Sequence, residues 1–78
     1  MTNIEKYNQA FIDAFNVTNK ELADLRYKSI PAWDSVGHMT LIANIEENFD
    51  IMIESDDIID ISSYTHGKEI LNKYNISF

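Results

Sequence analysis

One proline, Pro31, and two glycines, Gly37 and Gly67, are the only strong backbone breakers in 78 residues. With breakers this scarce and little strict polar–apolar alternation, the chain is expected to build helices. Ile4, Tyr7, Phe11, Ala14 and Phe15 recur at helical spacing and mark a first helix over about 3–16, with Thr2 or Asn3 as its cap. Val36, Met39, Ile42, Ile45 and Phe49 form the buried stripe of a second helix over about 34–49, which Leu41 widens. A short third helix is expected over about 55–60, capped by Ser55, with Asp56 and Asp57 at its positive N-terminal end. A last helix over about 64–74 is capped by Ser63 and turns Tyr64, Gly67, Ile70, Leu71 and Tyr74 inward.

Between the first two helices lies a long connection, residues 17–33. A connection of that length needs some structure of its own. Thr18 and Glu21 have capping-box spacing, which predicts a helical turn near Glu21–Leu25. Leu22, Leu25, Ile30 and Trp33 are placed to tack the connection onto the core, and Pro31 punctuates it before the second helix. The expected fold is all-α: an antiparallel bundle of three main helices plus one short helix, in a single domain over 1–78. A domain this small buries only about 60% of its unfolded surface, so the core is thin.

The net charge of −7 is unevenly placed. Acids and bases cancel over residues 1–33, while residues 34–60 hold eight acidic residues and no Lys or Arg. Such a field repels nucleic acid and anionic membrane and steers basic partners towards itself. No apolar run approaches the roughly 18 residues of a membrane span, and the N-terminus lacks the pattern of a signal peptide. There is no cysteine. The expectation is a soluble, cytoplasmic, monomeric protein.

The stretch with chemical content is Trp33-Asp34-Ser35-Val36-Gly37-His38-Met39. Asp34 is a good N-cap, because its carboxylate can accept from free backbone N–H groups of the first turn. Ser35 follows that cap at the end of the long connection, so its hydroxyl is expected to be exposed. The helix dipole and unpaired N–H groups there favour a phosphate. His38, one turn on, is expected at the surface.

Asp34-Ser35-Val36 resembles the D-S-L signature of acyl and peptidyl carrier proteins. Downstream, Leu41-Ile42-x-x-Ile45-Glu46-Glu47-x-Phe49-Asp50-Ile51-x-Ile53 looks like that family's second helix and its exit, and Ile61-x-Ser63-Tyr64 like the approach to its last helix. The resemblance implies that a phosphopantetheinyl transferase attaches 4'-phosphopantetheine from coenzyme A to Ser35, with Asp34 as part of the motif. It implies a non-catalytic carrier whose arm holds acyl groups as thioesters. It also implies docking of acyl-loading and acyl-using enzymes, through basic patches, at Val36, Met39, Glu46 and Glu47, with Asp57 as a further candidate. Gly37, Thr40 and Asn48 stand where fatty-acid-synthesis carriers are often acidic, and W-D-S-x-G-H-M looks more like stand-alone carriers of specialised pathways. Fatty-acid-synthesis, amino-acyl and peptidyl carriers are the variants within that reading.

The rivals are an unmodified acidic interaction adaptor, in which Ser35 only starts a helix, and a small metal-binding protein. Asp34, Ser35 and His38 do not make a hydrolase, because a triad needs an oriented base and an oxyanion hole in a formed cleft. The acids near residue 55 lack the D-x-[DN]-x-[DN]-G spacing of a dedicated calcium loop.

Overall fold

A computed structural model describes residues 1–78. It is an all-α bundle with no β-strand. The elements are α1 (Asn3–Phe15), a 3-10 helix (Asn19–Asp24), α2 (Ser35–Phe49), α3 (Ser55–Asp60) and α4 (Tyr64–Asn72).

Local chemistry sets the boundaries. Thr2 caps α1 in a full capping box: its hydroxyl accepts from the Glu5 N–H, and the Glu5 carboxylate accepts from the Thr2 N–H at 2.8 Å. Those hydrogen bonds from Thr2 hold the Glu5 carboxyl below the usual range. Asn16, in the left-handed region at φ 56°, stops the helix. The Glu21 carboxylate accepts from both the Thr18 N–H and the Thr18 hydroxyl at 3.0 Å, which is half of a capping box, and the helical turn that follows spans Asn19–Asp24, beginning earlier than the spacing suggested. At α3 the N-cap position belongs to Glu54, which makes no side-chain cap, and Ser55 is the first helical residue. Ser63 caps α4 as expected, accepting from the His66 N–H at 3.0 Å. That helix stops at Asn72, short of Tyr74.

α1 and α2 pack antiparallel. Asn44 of α2 donates to the Ala10 carbonyl at 3.1 Å, and Asn48, one turn on, donates to the Lys6 carbonyl at 3.1 Å. The core is a run of touching rings. Tyr7 lies 4.9 Å from Phe11, Phe11 5.6 Å from Trp33, and Trp33 stacks on Phe15 at 5.1 Å. Leu41, Ile42 and Ile45 of α2, Ile61, and Ile70 and Leu71 of α4 complete it. The Tyr7 hydroxyl donates to the Tyr64 carbonyl at 2.6 Å, and burial pushes its ionisation far above the ordinary phenol range. Gly67 makes room for that hydroxyl, since a Cβ there would lie 2.2 Å from it.

The long connection is fastened at both ends. Leu22, Leu25 and Trp33 are buried. The Tyr27 N–H donates to the Ser62 carbonyl at 2.8 Å and the Tyr64 N–H to the Leu25 carbonyl at 3.0 Å, which closes an isolated bridge between Arg26 and Ser63. The C-terminal residues pack beside the start of α1. Ile76 is buried, the Phe78 ring lies 5.1 Å from Tyr7, and Asn3 donates to the Ser77 carbonyl at 3.0 Å. No helix is long and apolar enough to cross a membrane.

Candidate functional site

α2 begins where the long connection stops. Asp34 is extended, and its carboxylate accepts from the Gly37 N–H at 2.8 Å. Ser35 is therefore the first helical residue. It is exposed, and its hydroxyl is engaged by no other side chain or carbonyl of the protein. The N–H groups of Ser35 and Val36 have no carbonyl four residues earlier within the helix. Together with the α2 dipole they form a local field that suits an anion on Ser35.

Gly37 is fixed by the backbone behind this turn. A Cβ there would fall 1.9 Å from the Ala32 carbonyl oxygen and 3.3 Å from the Phe15 ring. The connection thus lies directly against α2, with no room for a side chain between them.

Beside Ser35 is an apolar groove of about 410 Å³, lined by Tyr27, His38, Met39, Ile58, Ile59 and Ile61 together with the hydroxyl-bearing Ser35 and Ser62. Its walls are the connection, the first turns of α2, and α3. His38 crosses it. The expectation of a surface His38 is corrected: the ring is half-buried and both nitrogens are engaged. Trp33 Nε1 donates to His38 Nδ1 at 3.0 Å. His38 Nε2 lies 2.6 Å from the Ile58 carbonyl oxygen. An indole N–H only donates and a carbonyl only accepts, so the proton of the neutral ring sits on Nε2. The ring also lies nearly parallel to Trp33, 12° apart, and meets the Tyr27 ring edge-on at 5.8 Å.

The residues expected to dock partners divide. Val36 and Met39 were also expected in the buried stripe of α2. They are 74% and 54% exposed, and Met39 lines the groove rather than the core. The inward face of α2 is instead Leu41, Ile42 and Ile45, and Phe49 is half-buried. Glu47 is exposed. Glu46 is half-buried, and its Oε2 accepts from the Ile53 N–H at 2.9 Å, tying α2 to the strand-like segment before α3.

Asp57 does not belong to a docking surface. It is 4% exposed. Lys73 donates to its Oδ1 at 2.5 Å and the Tyr74 hydroxyl to its Oδ2 at 2.6 Å. The Lys73 bond, then the Tyr74 bond, holds its carboxyl below the usual range, and the same pairing raises the Lys73 ammonium. Tyr74 in turn accepts from the Glu54 N–H at 2.9 Å, so Asp57 fastens α3 to the end of α4. The α3 residue that does face outward near Ser35 is Ile59, 77% exposed. Within Ile58-Ile59-Asp60-Ile61 nothing in the sequence sets it apart as the outward isoleucine. The acidic side chains of residues 34–60 do not gather into a set of three that would hold a metal ion.

The fold and site define a small all-α domain that presents an exposed helix-start serine at an apolar groove. The chain matches no protein-family model, no curated protein and no solved structure.

Proposed function

We propose that the chain is a carrier protein whose Ser35 hydroxyl bears a 4'-phosphopantetheine arm. The observation that carries this reading is the placement of Ser35. It is the exposed first residue of α2, it follows an Asp34 cap, and it adjoins a groove whose lining is largely apolar. The surroundings fit the group. The free N–H groups of Ser35 and Val36 suit its phosphate, and the adjoining groove offers apolar surface to the arm and its cargo. The bound arm supplies a terminal thiol that holds an acyl or related group as a thioester. The protein's own part is to present and orient it, with no catalytic residue.

Val36, Met39 and Ile59 surround Ser35, and together with Glu47, about three turns further along α2, they form the surface on which a phosphopantetheinyl transferase and the acyl-loading and acyl-using enzymes dock. Glu46 contributes charge from behind. Asp50, Glu54, Asp56 and Asp60 are exposed and no Lys or Arg lies in residues 34–60, so partners with basic patches are favoured. A cytoplasmic monomer serving a specialised biosynthetic pathway is the setting that agrees with these features.

Incubation with coenzyme A, magnesium and a permissive phosphopantetheinyl transferase should add one arm, read by intact mass. Ser35→Ala should add none. An unchanged mass, or an arm on Ser35→Ala, would defeat the carrier reading. The exposed Val36, Met39 and Ile59 would then favour an unmodified adaptor, whose binding survives loss of the serine.

A further inference from the structure

We propose that His38 is a positioning residue that latches α3 across the groove beside Ser35, and that it latches only as the neutral ring, so that a proton added to the imidazole releases that wall. The inference does not depend on whether Ser35 carries an arm.

α3 has only six residues, Ser55–Asp60. Helices shorter than about 12–15 residues are marginal on their own, so its position depends on what fastens it. Two sets of contacts do so. On the α4 side, Asp57 holds Lys73 and Tyr74, and Tyr74 accepts from Glu54. On the α2 side, the polar contact is the bond from His38 Nε2 to the Ile58 carbonyl. His38 and Ile58 both line the groove, so loss of their bond frees the α3 edge that forms one wall.

The partners of His38 have fixed polarity. Nδ1 must accept from Trp33, and Nε2 must donate to Ile58. A second proton on Nδ1 sets two N–H groups against each other 3.0 Å apart. Trp33 cannot retreat easily, because it is wholly buried between Phe11 and Phe15. The half-buried imidazole is the group that moves, and it takes Nε2 away from Ile58. The titratable group facing the ring from the connection is Tyr27, edge-on at 5.8 Å. From α3, Asp57 is committed to Lys73 and Tyr74. No carboxylate lies within 4 Å of the ring: the acid–base pairs that close are His66 with Glu69 and Lys73 with Asp57, and Asp34, one turn before His38 on α2, is committed to the Gly37 N–H at 2.8 Å.

The test uses the unmodified chain. Trp33 is its only tryptophan, so indole emission reports on the His38 ring hydrogen-bonded to its Nε1. Emission and the hydrogen-exchange protection factors of the amides of residues 55–61 are followed as the solution is acidified from about pH 8 to about pH 5. Both should change with one midpoint, and α3 protection should fall about tenfold or more. His38→Gln keeps a donor for the Ile58 carbonyl but does not titrate, so its protection should stay flat. His66→Gln, on the exposed second imidazole, should behave as the parent. Protection that holds steady while the emission titrates would overturn the proposal. So would a His38→Gln variant that loses protection with the parent's pH profile. His38→Ala should show the low-pH protection at every pH; if it does not fold, the parent and His38→Gln decide the matter.

Discussion

The Tyr7–Gly67 contact can be dissected by a double-mutant cycle whose terms follow from the structure. Tyr7→Phe removes a buried hydroxyl that donates to the Tyr64 carbonyl at 2.6 Å. In a helix that carbonyl also receives an amide four residues on, so it is not orphaned. The loss should be about 1 kcal/mol. Gly67→Ala in the parent places a Cβ 2.2 Å from the Tyr7 hydroxyl. The ring cannot swing aside, because Phe11, Tyr64 and Phe78 all lie within 4.9–5.1 Å of it. Overpacking of that kind costs about 1–3 kcal/mol. In the Tyr7→Phe background the nearest atom of that ring is Cζ at 3.4 Å, an ordinary contact, and only the Ile61 methyl at 3.3 Å must give slightly. Alanine in place of a helical glycine then contributes about 0.8–1.0 kcal/mol. The same substitution should therefore destabilise the parent and stabilise the phenylalanine variant, with a coupling of about 2–4 kcal/mol. Urea unfolding followed by circular dichroism reads all four proteins. In a domain of this size each kcal/mol also moves the melting temperature by about 4–8 °C. If the two substitutions add to within about 0.5 kcal/mol, the hydroxyl does not occupy the space below Gly67 and the reasoning fails.

Three further outcomes follow from other contacts. Gly37→Ala should lower stability by about 2 kcal/mol or more, since the Cβ meets the Ala32 carbonyl and not a flexible side chain; a melting curve equal to the parent's would refute that close approach. Glu46→Ala should lose about 1 kcal/mol by leaving the Ile53 N–H without its carboxylate, while Glu47→Ala should stay within about 0.5 kcal/mol of the parent and weaken partner docking instead. For Asp57 the folded-state pKa is depressed, so its contribution is present at neutral pH and is lost as pH falls through and below the ordinary carboxylate range. Asp57→Asn should melt lower at neutral pH and show a shallower acid dependence. An equally steep one would place the acid-labile contact elsewhere.

Helical periodicity and the scarcity of breakers were enough to read the helix order and the caps at Thr2, Asp34 and Ser63, because those signals are local. The errors share a cause: they concern which side of an element the neighbours occupy. Val36 and Met39 have the spacing of a buried stripe, yet both face outward, while Trp33 of the connection is wholly buried in the core. Asp57 carries the charge of a surface residue but finds Lys73 and Tyr74, sixteen and seventeen positions on. His38 is fixed by a tryptophan five residues before it and a carbonyl twenty residues after it. Only the folded chain brings those partners together. Asn48 likewise stands out as a missing acid, and the fold turns it into a bond to α1. The exposure of Ser35, by contrast, was legible, because a cap and a helix start are local features.

The bond from Asn3 to Ser77 and the Phe78 ring beside Tyr7 have an architectural consequence. Both ends of the chain emerge together, beside the first turn of α1. Ser35 lies at the opposite end of that helix, where Phe15 approaches Gly37. A label, surface tether or neighbouring domain joined at either end therefore leaves the serine face clear. A short peptide joining the two ends would make a circular chain without approaching the serine face.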